Sequence, residues 1–103
     1  MTLKQAVQEV IKQNREVKYI PSRFMEMTKG GDAEDLKEVI IKLVLDPEVK
    51  KKIWETIEKY KGKPIFIEEY ISMYCFDFSK EVIKEAMQKT KEIQQSRFFY
   101  IYK

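Results

Sequence analysis

Four carboxylate pairs are the first places to look for chemistry in this 103-residue sequence: Glu34/Glu38, Glu55/Glu58, Glu68/Glu69 and Glu81/Glu85. Paired carboxylates act as acid and base, or hold a metal, when they point into a pocket that perturbs their protonation. The pairs spaced three or four apart share one helix face. That face also carries lysines at helical spacing, in Glu38/Lys42, Glu81/Lys84 and Glu85/Lys89. The expectation is a solvated surface in which each pair contributes ~0.2–0.5 kcal/mol. The chain has no histidine and one cysteine, Cys75. That excludes histidine acid–base catalysis, His/Cys zinc sites, a Ser-His-Asp triad and an intrachain disulfide. Cys75, between Tyr74 and Phe76, reads as a small buried hydrophobe, since no helix N-terminus or fixed cation is evident beside it. The residues thus imply no enzyme, no metal, no cofactor and no evident small-molecule substrate.

Two constellations point instead to binding. The C-terminal run Phe98-Phe99-Tyr100-Ile101-Tyr102 is five apolar or aromatic residues in a row. Packed back, it closes a core; exposed, it drives association with a second copy or another protein. The second constellation is the lysine-rich stretch 50–63. On a helical wheel centred at Ile53, Lys50, Trp54 and Lys61 line one flank, Lys52, Lys59 and Lys63 the other, and Lys51 points outward with Glu55 and Glu58. A tryptophan between lysines can stack a base while the ammonium groups meet phosphates. Lys50, Lys51, Lys52, Trp54 and Lys61 are therefore the candidate residues of an alternative, nucleic-acid-binding function. Two plainer facts oppose it. Lysine stems commonly cover apolar surface, with tryptophan at the core boundary. Only three arginines occur, Arg15, Arg23 and Arg97, where bidentate arginine dominates base readout. A helix-turn-helix over 32–61 would place Lys50, Lys51 and Lys52 near the start of its recognition helix. Gly30-Gly31 precedes a helix start that could hold an anion, but Asp32, Glu34 and Asp35 already occupy that positive end.

The elements that must position these residues follow from periodicity and punctuation. Thr2 with Gln5 forms a capping-box pattern ahead of Leu3, Ala6, Val7, Val10 and Ile11, giving a helix over about 3–14. Val17–Ile20 is an extended lead into Pro21. Ser22 then caps a short helix that Gly30-Gly31 stops. Asp32 caps the next, with a stripe of Leu36, Val39, Ile40, Leu43 and Val44 to about 45. Asp46-Pro47-Glu48 starts another, with Val49, Ile53, Ile57 and Tyr60 inward to about 61. Ile65-Phe66-Ile67 fits a strand or a helix start, and with no second strand to pair with it is assigned to a helix. Asp77 or Ser79 caps the last, on Val82, Ile83, Ala86, Met87, Thr90 and Ile93, to about 95. Continuing that helix through the tail would place Gln94 and Arg97 on its buried stripe, so an extended or separately packed tail is equally compatible.

Several landmarks fall in a familiar order: Pro21-x-x-Phe24-x-x-Met27, Gly30-Gly31, Ala33 and Leu36, Trp54-Glu55, Glu69 and Ile71, then Phe76-x-Phe78-Ser79-x-Glu81-x-Ile83-x-x-Ala86. Over residues 19–92 the chain resembles a small all-helical domain of uncharacterised bacterial proteins. The resemblance implies a helical fold and no particular chemistry.

Net charge is +3, and its sign alternates by segment. Residues 32–48 carry six acidic and two basic groups, residues 49–64 two and six. Complementary neighbouring surfaces, or a basic face for a polyanion, both follow from such a pattern. No run reaches the ~18 apolar residues of a membrane span, no leader is evident at the N-terminus, and a lone cysteine suits a reducing interior. The expectation is a cytoplasmic all-α protein. It is a single compact bundle of about five helices in one domain, 1–103, with a short aromatic tail at 97–103 that is either extended or packed separately. Its predicted function is a non-enzymatic interaction domain that self-associates through that tail.

Overall fold

The computed structural model describes residues 1–30 and 32–101, Ile101 by its backbone alone. The fold is all-α, with no strand among the described residues. Among the described residues there are six helices rather than about five: α1 (Leu3–Glu16), α2 (Ser22–Thr28), α3 (Ala33–Leu45), α4 (Pro47–Lys59), α5 (Ile67–Tyr74) and α6 (Lys80–Ile101). Periodicity and punctuation mark each of the six individually, so the count of about five is one short; the weakest of them are α2 and α5, each under ten residues. Such helices are marginal alone and depend on packing that periodicity does not report. No described helix is long and apolar enough to cross a membrane.

Local chemistry sets most boundaries. The Gln5 N–H donates to Thr2 Oγ1 at 3.1 Å and the Thr2 N–H to Gln5 Oε1 at 2.8 Å, closing a capping box on α1. Asp32 and Asp35 form the same reciprocal pair on α3. At α4, Asp46 Oδ1 accepts from the Glu48 N–H at 2.9 Å with proline in the first turn. Two expected ends move. Pro21, not Ser22, precedes the first turn of α2, and no side chain caps it. α1 runs two residues beyond Asn14, because the Asn14 side chain turns inward instead of terminating the helix.

Asn14 is 1% exposed. Its Nδ2 donates to the Ile65 carbonyl at 2.9 Å, and its Oδ1 accepts from the Ile65 N–H at 2.7 Å. One side-chain amide thus imitates a strand partner. This explains why 65–67 carries strand-like residues without a strand: the backbone there is extended, its polar groups are met, and α5 begins at Ile67.

Two apolar clusters result. The larger joins α1, α3, α5 and the first half of α6 through Ala6, Val10, Ile40, Val44, Ile71, Val82 and Ala86. The smaller joins α4 to the second half of α6 through Ile53, Ile57 and Ile93, with Val49, Trp54, Phe66 and Tyr100 around them. α3 and α4 each pack chiefly on α6, not as the paired helices of a helix-turn-helix. α6 is therefore the spine, and its length matters. It does not stop near 95 but continues through the aromatic tail to Ile101.

The α5–α6 turn is strained. Cys75, Phe76 and Asp77 all have left-handed φ values, of 61°, 50° and 61°. Such backbone costs roughly 1–2 kcal/mol per non-glycine residue. The Lys37 ammonium steadies it by donating to the Asp77 carbonyl at 3.1 Å. Cys75, expected in the core, is only partly buried at this turn, because its left-handed backbone closes α5 there.

Candidate functional site

Adjacent glutamates on α5 meet two cations of α6, and the two meetings differ. Glu69 lies in the first turn of α5. Its Oε2 accepts the Phe66 N–H at 2.9 Å, closing the helix start. Arg97 reaches it with two nitrogens, Nη1 to Oε1 at 2.6 Å and Nη2 to Oε2 at 3.0 Å. The same guanidinium donates to the Gly62 carbonyl at 3.0 Å and the Pro64 carbonyl at 2.8 Å. A planar donor fork suits this arrangement, and it leaves neither charge alone. It also resolves the objection to a continuous α6. Arg97 does fall on the inward side, and there it finds every partner it needs.

Gly62 makes this approach possible. A Cβ at Gly62 would lie 3.2 Å from Arg97 Cα, and its φ of +78° is left-handed. Its N–H donates to the Ile57 carbonyl at 2.9 Å, two residues past the α4 cap, as in a Schellman ending.

Glu68 and Lys89 are the contrasting pair. Both are 3% exposed. Lys89 Nζ donates to the Val44 carbonyl, one of the last of α3, where a helix leaves carbonyls without partners and a cation is favoured. Its distance to Glu68 Oε2 is 3.9 Å, an ion pair too long for a hydrogen bond. Glu68 Oε2 has no hydrogen-bond partner among the described groups. Burial pushes the Glu68 carboxyl above its ordinary value, against the opposing pull of a backbone N–H and of Lys89. Lys89 was expected on a solvated face with Glu85. It is instead buried, because the inward stripe of α6 passes through it: Val82, Ala86, Lys89, Thr90 and Ile93. Next to it, the Thr90 hydroxyl hydrogen-bonds that of Ser72 at 2.8 Å.

Glu68 also lines a cavity of about 120 Å³ between α1, α2, α3, α4 and the 65–67 segment. Most of its wall is apolar, including Val10, Phe24, Leu43, Ile53 and Phe66. Arg23 and Lys52 line it as well and are exposed. The cavity therefore extends inward from the surface as far as Glu68, whose Oε2 atom is itself sealed from water. Among the described residues no group of three or more histidine, cysteine, aspartate or glutamate side chains is placed to hold a metal.

The two expected binding constellations come together at the other end of α6. A groove is lined by Trp54, Ile57 and Glu58 of α4 and by Ser96, Phe99 and Tyr100 of α6. Phe98 and Phe99 are 60% and 56% exposed, while Tyr100 packs into the smaller cluster and meets Phe99 edge-on at 5.4 Å. The Ile101 side chain and Tyr102 lie outside the described residues. Trp54 sits at the core boundary. Both lysines of its flank turn to α6: Lys50 pairs with Glu92 at 3.3 Å, and Lys61 lies 5.9 Å over the Tyr100 ring. Lys51 and Lys52 remain exposed, Lys52 beside the cavity.

No family model, curated protein or solved structure matches this chain. Its sites must be read from its own residues. The aromatic tail and Trp54 were visible as separate signals, and the fold makes them one surface. Glu68 and Lys89 as a buried pair were missed. The available signal was position: Lys89 is three residues beyond Ala86 and four before Ile93, on the stripe itself.

Proposed function

We propose that this chain is a non-enzymatic helical domain that associates with a second copy of itself through the face where the end of α6 meets α4. The observation that carries the reading is the exposure of Phe98 and Phe99 beside Trp54 and Tyr100. Large aromatic side chains gathered at one point are the usual anchors of an interface. A two-fold contact sets such a patch against itself and needs both charge signs around it. Glu58 and Lys61, both exposed, supply them. The lone thiol, Cys75, is consistent with a reducing, cytoplasmic setting for this role.

Less supports nucleic-acid binding, since Lys50 and Lys61 are engaged with α6. The test is molar mass in solution by light scattering, for the wild-type chain and for Phe98→Ser/Phe99→Ser. Twice the 12.4 kDa chain mass in the wild type and the single mass in the variant are expected. A wild-type monomer at every concentration, or a dimeric variant, would overturn the reading.

A further inference from the structure

We propose that the cavity between α2 and α4 binds a small amphiphilic carboxylate, its apolar body held inside and its charged end met at the mouth by Arg23 and Lys52. This inference is independent of self-association, because the cavity shares no lining residue with the Trp54 groove.

Size and wall define the body of the ligand. The cavity holds about 120 Å³, and an apolar cavity of about 150 Å³ takes up benzene. The enclosed body is therefore limited to about five or six carbons. The wall is chiefly aliphatic and aromatic, so that body is apolar. The polar side chains of the wall divide into engaged and unengaged. Asn14 is used on Ile65. The Thr56 hydroxyl donates to the Lys52 carbonyl at 2.8 Å, and the Tyr19 hydroxyl lies beside Thr56. Glu68 is paired with Lys89, and its Oε2 is sealed from water. Arg23 and Lys52 remain. Both are exposed, and neither charged group has a carboxylate within ion-pair distance among the described residues.

Charge then decides the head group. The lining carries two unpaired cations and one carboxylate that Lys89 already balances. The cations stand on separate helices, Arg23 on α2 and Lys52 on α4. Side chains of this kind lay their stems along apolar surface and keep the charged end in water, which places both charges at the open side of the cavity. An amine there would meet two like charges, and a neutral body would leave both cations unpaired. A carboxylate gives each of them a partner, and the planar fork of Arg23 can engage both of its oxygens. The head group stays in contact with water, so it is not asked to enter the low-dielectric interior beside Glu68.

The experiment is titration of the full chain with hexanoate, hexanamide, hexylamine and acetate, followed by calorimetry and by the methyl resonances of Ile53, which lines the cavity. Two solvent-screened ion pairs predict hexanoate binding about tenfold tighter than its neutral isostere hexanamide at low salt. Added salt should narrow that gap. Hexylamine should bind more weakly than hexanamide. Acetate, which has the charge without the body, should bind at least about tenfold more weakly than hexanoate. Hexanoate should move the Ile53 resonances. In Arg23→Gln/Lys52→Gln, hexanoate should fall to the level of hexanamide, while hexanamide itself is unchanged. The salt dependence of the wild-type chain decides the matter should that variant fail to fold. Phe98→Ser/Phe99→Ser should bind hexanoate like the wild type, whatever its own mass in solution. No binding of hexanoate, equal binding of hexanoate and hexanamide, an acetate affinity equal to that of hexanoate, or Ile53 resonances indifferent to hexanoate would each overturn the proposal.

Discussion

The two halves of α6 depart from the usual distribution of polarity in opposite directions. Near its middle the helix turns Lys89 and Thr90 inward; at its end it turns Phe98 and Phe99 outward. Arg97, between them, is the instructive control. It too faces inward, but four hydrogen bonds to Glu69, Gly62 and Pro64 satisfy it. A cation turned inward is therefore not anomalous in this fold when its donors are met. What separates Lys89 from Arg97 is that its carboxylate partner stays 3.9 Å away with an oxygen unmet. The Arg97 region is fastened. The Lys89 region keeps a carboxylate oxygen unmet, and the Phe98 region keeps two large rings exposed.

The largest effect should come from breaking the inner pair. Lys89→Met strands the Glu68 carboxylate and should cost about 3–5 kcal/mol in denaturant unfolding, while Glu68→Met/Lys89→Met should return close to wild-type stability. A single variant within 1 kcal/mol of wild type would mean that the pair is not energetically coupled. Arg97→Ala should come next, at about 2–3 kcal/mol, since it removes a charged fork whose bonds are partly solvent-screened. It should also lower helicity by far-ultraviolet circular dichroism as the end of α6 frays. Unchanged helicity would show that α6 reaches Ile101 without this fastening.

How far these regions are visible in the sequence depends on the range of the interactions that make them. α3 and α4 are legible because their starts are local: Asp32 with Asp35, and Asp46 ahead of Pro47, act within four residues. The end of α6 is not, because Arg97 is tolerated there only through carbonyls more than thirty residues away. The strand-like look of Ile65-Phe66-Ile67 is real, but its pairing partner is a side chain, Asn14, which no strand pattern anticipates. Tail and tryptophan are each conspicuous by residue type, whereas their juxtaposition requires α4 and α6 to pack. Glu68 is hidden by its neighbour, since Glu68-Glu69 reads as an acidic first turn and only packing turns one of the two inward.

A smaller, pH-bounded effect sharpens the inner region. Burial raises the Glu68 carboxyl above its ordinary 4.5, so the folded state holds that proton more tightly than the unfolded chain does. Its contribution to stability is full below about pH 4.5 and is lost as pH rises through the raised value. Unfolding free energies of wild type minus Glu68→Gln should therefore fall as pH rises above 4.5; a flat difference would contradict the burial of this group. The smallest change is a gain. Asp77→Gly relieves one left-handed residue and should stabilise the fold by about 0.5–1 kcal/mol, leaving self-association intact. If it altered the solution mass, the turn and the aromatic face would be coupled.

Trp54 reports most directly on the outer region, because it is the sole tryptophan and lines the groove with Phe99. Its emission should be recorded from roughly 1 to 100 µM chain, the range that titrates a micromolar association. Self-association predicts a blue shift that grows with concentration and is absent in Phe98→Ser/Phe99→Ser. Emission independent of concentration in the wild-type chain would contradict it.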